Sequence, residues 1–174
     1  VAVHSRGAGV FDCVVVSECA SSLPEWANVL GNRVAWASIP NLSYRVGERG
    51  HATPKQGVRE LDALAMPAYH CEAYPALAGT QKLKLFSVED SRGCACRCHA
   101  CALAGDELGL RLNTPDRVRD ILFEVGQEHG ARAFHIEGRG TTGSHARAVA
   151  NGLMGGALDV EYSRSMAIGL TDPG

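Results

Sequence analysis

The stretch TPDRVRDILFEVGQEHG, residues 114–130, limits most narrowly how this chain can fold. Thr114 is a typical N-cap residue, Pro115 suits the first helical position, and Gly130 is typical of the residue that ends a helix. Between these signals, apolar residues recur with the period of one helix face: Val118, Ile121, Leu122 and Val125. We therefore predict an amphipathic helix whose apolar stripe is core, with Glu124 and Glu128 either solvated or facing a protein neighbour.

Strand patterns surround this helix. Before it, AYHCEAY and QKLKLFSVED alternate between apolar and polar residues, and CHACALAG follows a turn at residues 90–93. After it, ARAFHIEG is strand-like and leads through a glycine loop into a second helix, and ALDVEYSRSMAIGL ends the chain as one or two strands. The second helix has four residues on its predicted apolar face: Ala146, Val149, Ala150 and Leu153. From residue 67 onward the predicted order is β-β-β-α-β-α-β, an α/β fold in which a mixed β-sheet, beginning as an antiparallel meander, is covered by two helices.

Residues 1–66 form an N-terminal α/β extension in this interpretation, and residues 67–174 form the main domain. GVFDCVVVSE is predicted as a strand, SSLPEWANVLGN as a helix with Ser22 as its N-cap, and RVAWASI as a second strand. Residues 40–57 contain many breakers and are predicted as a loop, followed by a short helix at VRELDALA. The extension carries no chemical motif, so its predicted role is partner binding.

Composition and charge narrow the class of protein. Of 174 residues, 45% are hydrophobic and 21% are charged, which is typical of a globular protein. The net charge of -2 provides no broad basic surface, so binding to nucleic acid cannot be inferred from charge alone. Apolar runs stay well short of the ~20 residues of a membrane span, and we expect no membrane association. The chain begins at Val1, which is compatible with a removed targeting segment.

One set of residues matches the ligand order of a zinc-dependent nucleobase deaminase. His70 and Glu72 form His-x-Glu, and Cys98 and Cys101 form Cys-x-x-Cys. In that class the His and the two Cys hold zinc, the zinc activates a water, and the Glu moves protons. Two features disfavour the match. His-x-Glu opens a helix in deaminases, whereas the residues here alternate with the period of a strand, and Pro75 follows Glu72 by three residues, where a helix would have to continue. A nucleobase or cytidine deaminase is therefore kept as the alternative function.

The cysteines permit a second metal hypothesis. Four of the seven lie within eight residues: Cys94, Cys96, Cys98 and Cys101. Such close spacing favours a reducing compartment or a metal over a disulfide framework. Free cysteines also fill small buried positions in strands. A structural zinc site is thus left open, and the main prediction includes no metal and no cofactor.

Six features follow one another in the second part of the chain. They are a first strand and loop that close at Thr80, the turn Asp90-Ser91-Arg92-Gly93, the strand CHACALAG, the helix start Thr114-Pro115, the loop Gly138-Arg139-Gly140 with the helix after it, and the final segment LMGGALDVEYSRS. In this order and spacing, residues 67–174 resemble the universal small-subunit ribosomal protein family numbered eleven. Each motif is common by itself, and the resemblance depends on their order.

The resemblance implies a structural constituent of the small ribosomal subunit and not an enzyme. Members of this family bind ribosomal RNA and other small-subunit ribosomal proteins at the platform, and no small-molecule substrate is expected. Two departures concern basic residues: Arg111 is the only base in the loop GDELGLRLN, and the family's basic C-terminal segment with Pro-His-Asn-Gly is not found. Reduced basic charge and an N-terminal extension are expected where protein contacts replace RNA, so the predicted location is the mitochondrial ribosome.

The RNA-binding residues follow from the resemblance and the local pattern. The loop Gly138-Arg139-Gly140 lets backbone N–H groups approach phosphates closely, and the start of the next helix adds partial positive charge. The first turns of that helix contribute further hydrogen-bonding side chains, which are Ser144, His145 and Arg147. Weaker candidates lie at other loop ends: Thr80, Arg92, Arg97 and Arg164. No catalytic residue is predicted.

Overall fold

The computed structural model describes residues 11–69, 85–94, 99, 101, 109–138, 141–155 and 159–165. The chain divides into two compact units, with the boundary between Arg59 and Glu60. The predicted boundary, after residue 66, lies slightly further along the chain. The fold is α/β, with several strands in sheets and, in the described residues, three α-helices.

The first unit is built on a small antiparallel sheet. Its strands are β1 (Cys13–Val15), β2 (Leu42–Val46) and β3 (Arg49–Ala52), in the order β1-β2-β3. Helix α1 (Ser22–Asn28) follows β1, and a 3₁₀ turn occupies Ala35–Ser38. The core consists of four buried residues, Trp36, Ile39, Leu42 and Tyr44.

Aromatic rings fill this small core at edge-to-face angles. The Trp26 and Trp36 ring centroids are 5.9 Å apart, and those of Trp36 and Tyr44 are 5.7 Å apart. His51 stacks on Tyr44 at 5.5 Å. Edge-to-face pairs at these separations place the positive ring edge on the negative ring face. Large rings therefore compensate for the small number of core residues.

A buried asparagine joins the segments of the first unit. Asn41 adopts a φ of 63°, a left-handed conformation that asparagine tolerates better than most residues. Its Nδ2 donates to Glu18 O at 2.8 Å, to Ser22 Oγ at 2.9 Å and to Gln56 O at 2.6 Å, and its Oδ1 accepts from Gln56 N at 2.7 Å. The Ser22 hydroxyl is therefore used by Asn41. Predicting Ser22 as the N-cap was wrong: the N-cap is Ser21, without a side-chain capping bond.

Three further predictions for residues 1–66 are corrected. RVAWASI was predicted as a strand, but Ala35–Ser38 forms a 3₁₀ turn, which places Trp36 in the core. Residues 40–57 were predicted as a loop, but they contain the β2–β3 hairpin. Val46 pairs with Arg49, so the connection between β2 and β3 has only two residues. Gly47 is one of them and has a φ of 60°, so this glycine marks a tight turn and not a long loop. The helix predicted at VRELDALA is only a 3₁₀ turn at Leu61–Ala63.

The second unit contains a parallel sheet of β4 (Leu85–Glu89), β7 (Ala133–Glu137) and β8 (Glu161–Arg164), in the order β4-β7-β8. A separate antiparallel pair joins β5 (Ser91–Arg92) to β6 (Arg111–Leu112). The helices are α2 (Pro115–His129) and α3 (Gly143–Met154). The antiparallel meander was predicted to include β4, but within the described residues β4 pairs only with β7, in parallel. Only residues 68–69 of the first predicted strand are described. Most of CHACALAG also lies outside the described residues.

Both helices pack on the sheet face that carries Phe86, Val88, Phe134 and Ile136. The predicted stripe of α2 is confirmed, with Val118, Ile121, Leu122 and Val125 all buried. Its predicted ends are confirmed as well, since Thr114 accepts from Arg117 N at 3.2 Å and Gly130 adopts a φ of 62°. On α3, Val149 and Leu153 are buried as predicted, and His145 joins them. Among the helices of the described residues, none has the length and apolar character needed to cross a bilayer.

Candidate site at the carboxyl edge of the parallel sheet

The three parallel strands end at one edge of the sheet, and polar residues meet there. Asp90 follows β4 directly, Gly138 follows β7, and Arg164 is the last residue of β8. In α/β folds the carboxyl ends of parallel strands are where ligands bind. The edge is completed by Thr141 and His145, from the loop before α3 and from its first turn.

The Asp90 carboxylate lies at the centre of this edge and is completely buried. Arg164 Nη2 donates to its Oδ2 in a buried ion pair. Thr141 Oγ1 donates to Oδ1 at 3.3 Å and lies 3.1 Å from Ser91 Oγ. A buried charge is tolerated only when it is paired and hydrogen-bonded, and both conditions are met here. The group therefore ties β4, the loop before α3 and the end of β8 together.

Backbone hydrogen bonds fix Asp90 from both sides. Its N–H donates to Glu137 O at 2.9 Å, which extends the pairing of β4 with β7. Its carbonyl accepts from Asn113 N at 2.8 Å, and Asn113 Nδ2 donates to Glu89 O at 2.8 Å. Asn113 directly precedes the N-cap of α2. The start of α2 is thus connected to the same edge as the start of α3.

Gly138 is required here because the edge leaves no room for a side chain. A Cβ at this position would overlap Asp90 Oδ1 and come within 2.5 Å of Ser91 Oγ and Thr141 Oγ1. The sequence predicted close approach to a phosphate at Gly138. That contact stays a prediction; within the protein, Gly138 lies against the carboxylate of Asp90.

His145 and Arg164 point inward. The His145 side chain is 8% exposed, and its Nε2 lies 3.6 Å from Asp90 Oδ2, beyond hydrogen-bond distance. Burial lowers the pKa of His145, which favours the neutral imidazole. The Arg164 side chain is also 8% exposed, and burial lowers its pKa. Its Nε and Nη1 are buried and have no hydrogen-bond partner in the described part of the chain.

The remaining predicted RNA-binding residues fall into two groups. Ser144 and Arg147 are exposed on α3, and Arg92 forms an ion pair with Glu89 at 2.8 Å. The others lie outside the described residues: Thr80, Arg97, Arg139 and Gly140. The side chains of His145 and Arg164 are buried, whereas those of Ser144 and Arg147 are exposed on α3.

Asp90 and Thr141 were missed as members of the site by sequence reasoning. Asp90 was interpreted only as a turn residue. The available signal was an acidic residue directly after one strand and a basic residue at the end of another, since parallel strands bring these ends together.

The described residues contain no group of three or more His, Cys, Asp or Glu side chains that could hold a metal ion. Cys94 is half-buried and Cys101 is exposed. The other residues of the two zinc hypotheses lie outside the described ranges: His70, Glu72, Cys96 and Cys98. The deaminase and the structural zinc site therefore stay predictions.

No protein-family model, no curated protein and no solved structure significantly matches this chain. Its function is therefore inferred from its residues and from the geometry of this edge.

Substituting Gly138 tests how tightly the edge is packed. We expect Gly138→Ala to lower the free energy of unfolding by about 2 kcal/mol or more, because the new methyl group overlaps Asp90 Oδ1. Gly152→Ala is the matched control: Gly152 lies inside α3 with nothing within 4 Å of its Cβ position, so the change should raise stability by about 0.5–1 kcal/mol. Urea unfolding of both variants checks this. Equal effects of the two alanines would contradict the packing described here.

The buried His145 makes stability depend on pH. Its pKa is lowered by burial from the usual 6.5, so below that value the unfolded chain binds a proton that the folded chain resists. The free energy of unfolding should therefore fall as the pH drops from about 7.5 to about 5.5, by up to about 1.4 kcal/mol per pH unit for this proton. His145→Gln should remove this part of the pH dependence, since the variant and the unaltered chain have all other histidines in common. Identical pH slopes in urea unfolding of the two proteins would disprove it.

Proposed function

We propose that the chain is a structural protein of a small ribosomal subunit, a mitochondrial version of the ribosomal family that it resembles. It binds ribosomal RNA and neighbouring ribosomal proteins. In this proposal, residues 67–174 have the order of strands and helices β-β-β-α-β-α-β. The observation that carries it is the position of α3: its N-terminus lies at the carboxyl edge of the sheet, close to Thr141, which hydrogen-bonds to the buried Asp90, and Ser144 and Arg147 are exposed.

This geometry suits the binding of a phosphate backbone. The N-terminus of a helix carries partial positive charge and is a favourable place for an anion. Arg147 lies one turn further along α3 and adds a full charge from an exposed side chain. Arginine contacts to phosphates fix the orientation of a protein on nucleic acid without reading its sequence. The role of the edge would be to hold α3 in a fixed position against RNA.

The buried ion pair supports a positioning role for Asp90. Its carboxylate has no exposed surface and is occupied by Arg164 and Thr141. A base that acts on a ligand must come within hydrogen-bond reach of it. Asp90 instead joins the carboxyl ends of the three strands β4, β7 and β8. A buried carboxylate that only joins parts of the fold is expected in a protein whose role is structural.

The small number of cations fits a site with few RNA contacts. The net charge is -2, and in the second unit Arg92, Arg119 and Arg132 all pair with carboxylates of this chain. A limited RNA footprint leaves more of the surface to protein neighbours. This is the reason for proposing a mitochondrial ribosome, in which protein contacts replace RNA contacts.

A charge substitution on α3 tests the RNA contact. We expect Arg147→Gln to weaken binding of the purified chain to small-subunit ribosomal RNA by about threefold to tenfold, because one phosphate contact is lost. Arg132→Gln is the matched control, since Arg132 is also exposed but precedes β7, at the opposite end of the strand. Filter binding at fixed salt measures both. Equal affinities of the two variants would contradict RNA contact through α3.

Sedimentation of the native protein tests the wider proposal. The chain should co-sediment with a small ribosomal subunit in a gradient of mitochondrial extract. Recovery as a monomer at the top of the gradient, or about one zinc per purified chain as the deaminase requires, would count against a ribosomal role.

A further inference from the structure

Positive charge is concentrated in the first unit, in residues 45–59. This segment, the basic hairpin, contains four Lys/Arg and one Asp/Glu, whereas the whole chain contains 17 and 19. Its cations form no ion pair within the described ranges, although arginines elsewhere in the chain do. Arg45 is half-buried, and the other three cations are exposed, which are Arg49, Lys55 and Arg59. The charge of the basic hairpin is therefore available to an anionic partner.

Two of these cations lie at the tip of the hairpin. Arg49 pairs with Val46 across the two-residue turn. Arg45 belongs to the facing strand, and its Nε donates to Gly47 O at 3.2 Å, which draws this guanidinium to the turn as well. Arginine binds phosphate oxygens through charge-assisted hydrogen bonds, and both of these arginines are placed to do so at one end of β3.

The third cation lies in a segment that is fixed to the body of the first unit. Pro54 O accepts from Asn41 N at 3.0 Å, and Gln56 N donates to Asn41 Oδ1 at 2.7 Å. Lys55 stands between these two anchored residues and is exposed. A backbone that is already ordered loses little conformational freedom when the segment binds a partner.

Strand β3 is an edge strand, so half of its backbone groups point away from the sheet. Thr53 N donates to Leu42 O at 2.9 Å, and bonded and non-bonded pairs alternate along an antiparallel ladder. This alternation turns the N–H groups of Gly50 and Ala52 outward. Both residues have very small side chains, so a phosphate oxygen can come close to these two donors.

His51 adds a flat ring to the same strand. Its imidazole stacks on the Tyr44 ring, with centroids 5.5 Å apart and planes at 16°. Tyr44 is buried beneath it, whereas His51 is exposed. Unpaired RNA bases stack on exposed aromatic side chains, histidine among them. The basic hairpin thus combines a stacking ring with cations and outward N–H groups.

We propose that the basic hairpin binds unpaired RNA: its cations and the edge of β3 contact phosphates, and one base stacks on His51. This combination is that of surfaces that bind single strands. A peptide strand is a poorer occupant of the edge, because charged side chains on an edge strand oppose strand addition. An acidic protein segment would use the cations and leave the ring without a role. The inference goes beyond the proposed contact through α3 and does not depend on it, since the hairpin belongs to the other unit.

RNA binding by the purified full-length chain tests the phosphate contacts. The probe is a fluorescein-labelled oligouridine of about 12 nucleotides, and every variant also carries Arg147→Gln, which removes the proposed contact of α3. Adding Arg49→Gln/Lys55→Gln should weaken binding at least about fivefold in fluorescence anisotropy. It should also reduce the slope of log affinity against log salt by about 1.4, because two phosphate contacts are lost.

The matched control is Arg119→Gln/Arg132→Gln, which removes the same charge from two arginines that pair with carboxylates of the second unit. It should bind oligouridine as the Arg147→Gln chain does. Equal affinities of the two double variants would overturn the proposal. Because the Arg147 contact is absent throughout, this result is independent of RNA binding by α3, and the two proposals can fail separately.

Substitutions of His51 test the stacking contact. His51→Gln removes the ring and should weaken oligouridine binding by about fivefold or more, whereas His51→Phe keeps a ring and should bind within about twofold of the Arg147→Gln chain. Equal losses in both variants would contradict stacking. A fluorescein-labelled oligoglutamate peptide of equal length is the competing probe. If it bound as tightly as oligouridine, and lost binding in Arg49→Gln/Lys55→Gln, the surface would belong to an acidic protein and the proposal would be wrong.

Discussion

The ion pair between Asp90 and Arg164 is the interaction on which the second unit depends. The two residues are 74 positions apart in the sequence, yet they join the end of the first parallel strand to the end of the third. Both side chains are almost completely buried. Removing one partner of such a pair leaves an uncompensated charge in the interior, at a cost of about 3–5 kcal/mol. Thr141 and Gly138 lie against this carboxylate, and Asn113 hydrogen-bonds to the backbone carbonyl of Asp90.

This pair also limits what the carboxyl edge can do. In many α/β proteins the edge is left open to receive a ligand, but here a side chain of the protein occupies its centre. The side chains of His145 and Arg164 are buried at this edge, whereas Ser144 and Arg147 of α3 are exposed. Binding by a few exposed groups on a rigidly held helix is suited to fixing the position of a partner.

How well the sequence predicted each element depended on how local its determinants are. Helix α2 was predicted with its ends and its core stripe, because the cap residues and the apolar period lie within the element itself. Strand β7 was predicted for the same reason. The strand predicted for RVAWASI was wrong. Its β-branched and aromatic residues suit a strand, but the packing of Trp36 against Tyr44 and Trp26 sets its conformation. The role of Asp90 could not be predicted from local pattern, since its partners come from three distant segments.

A double-mutant cycle on Asp90 and Arg164 tests this account most directly. Asp90→Asn, Arg164→Gln and the double variant are compared with the unaltered chain by urea unfolding. If the pair organises the edge, each single substitution is strongly destabilising and the double variant is little worse than either, with an interaction energy of about 2 kcal/mol or more. Additive effects of the two substitutions would show that the residues act independently, and the account of the edge would be wrong.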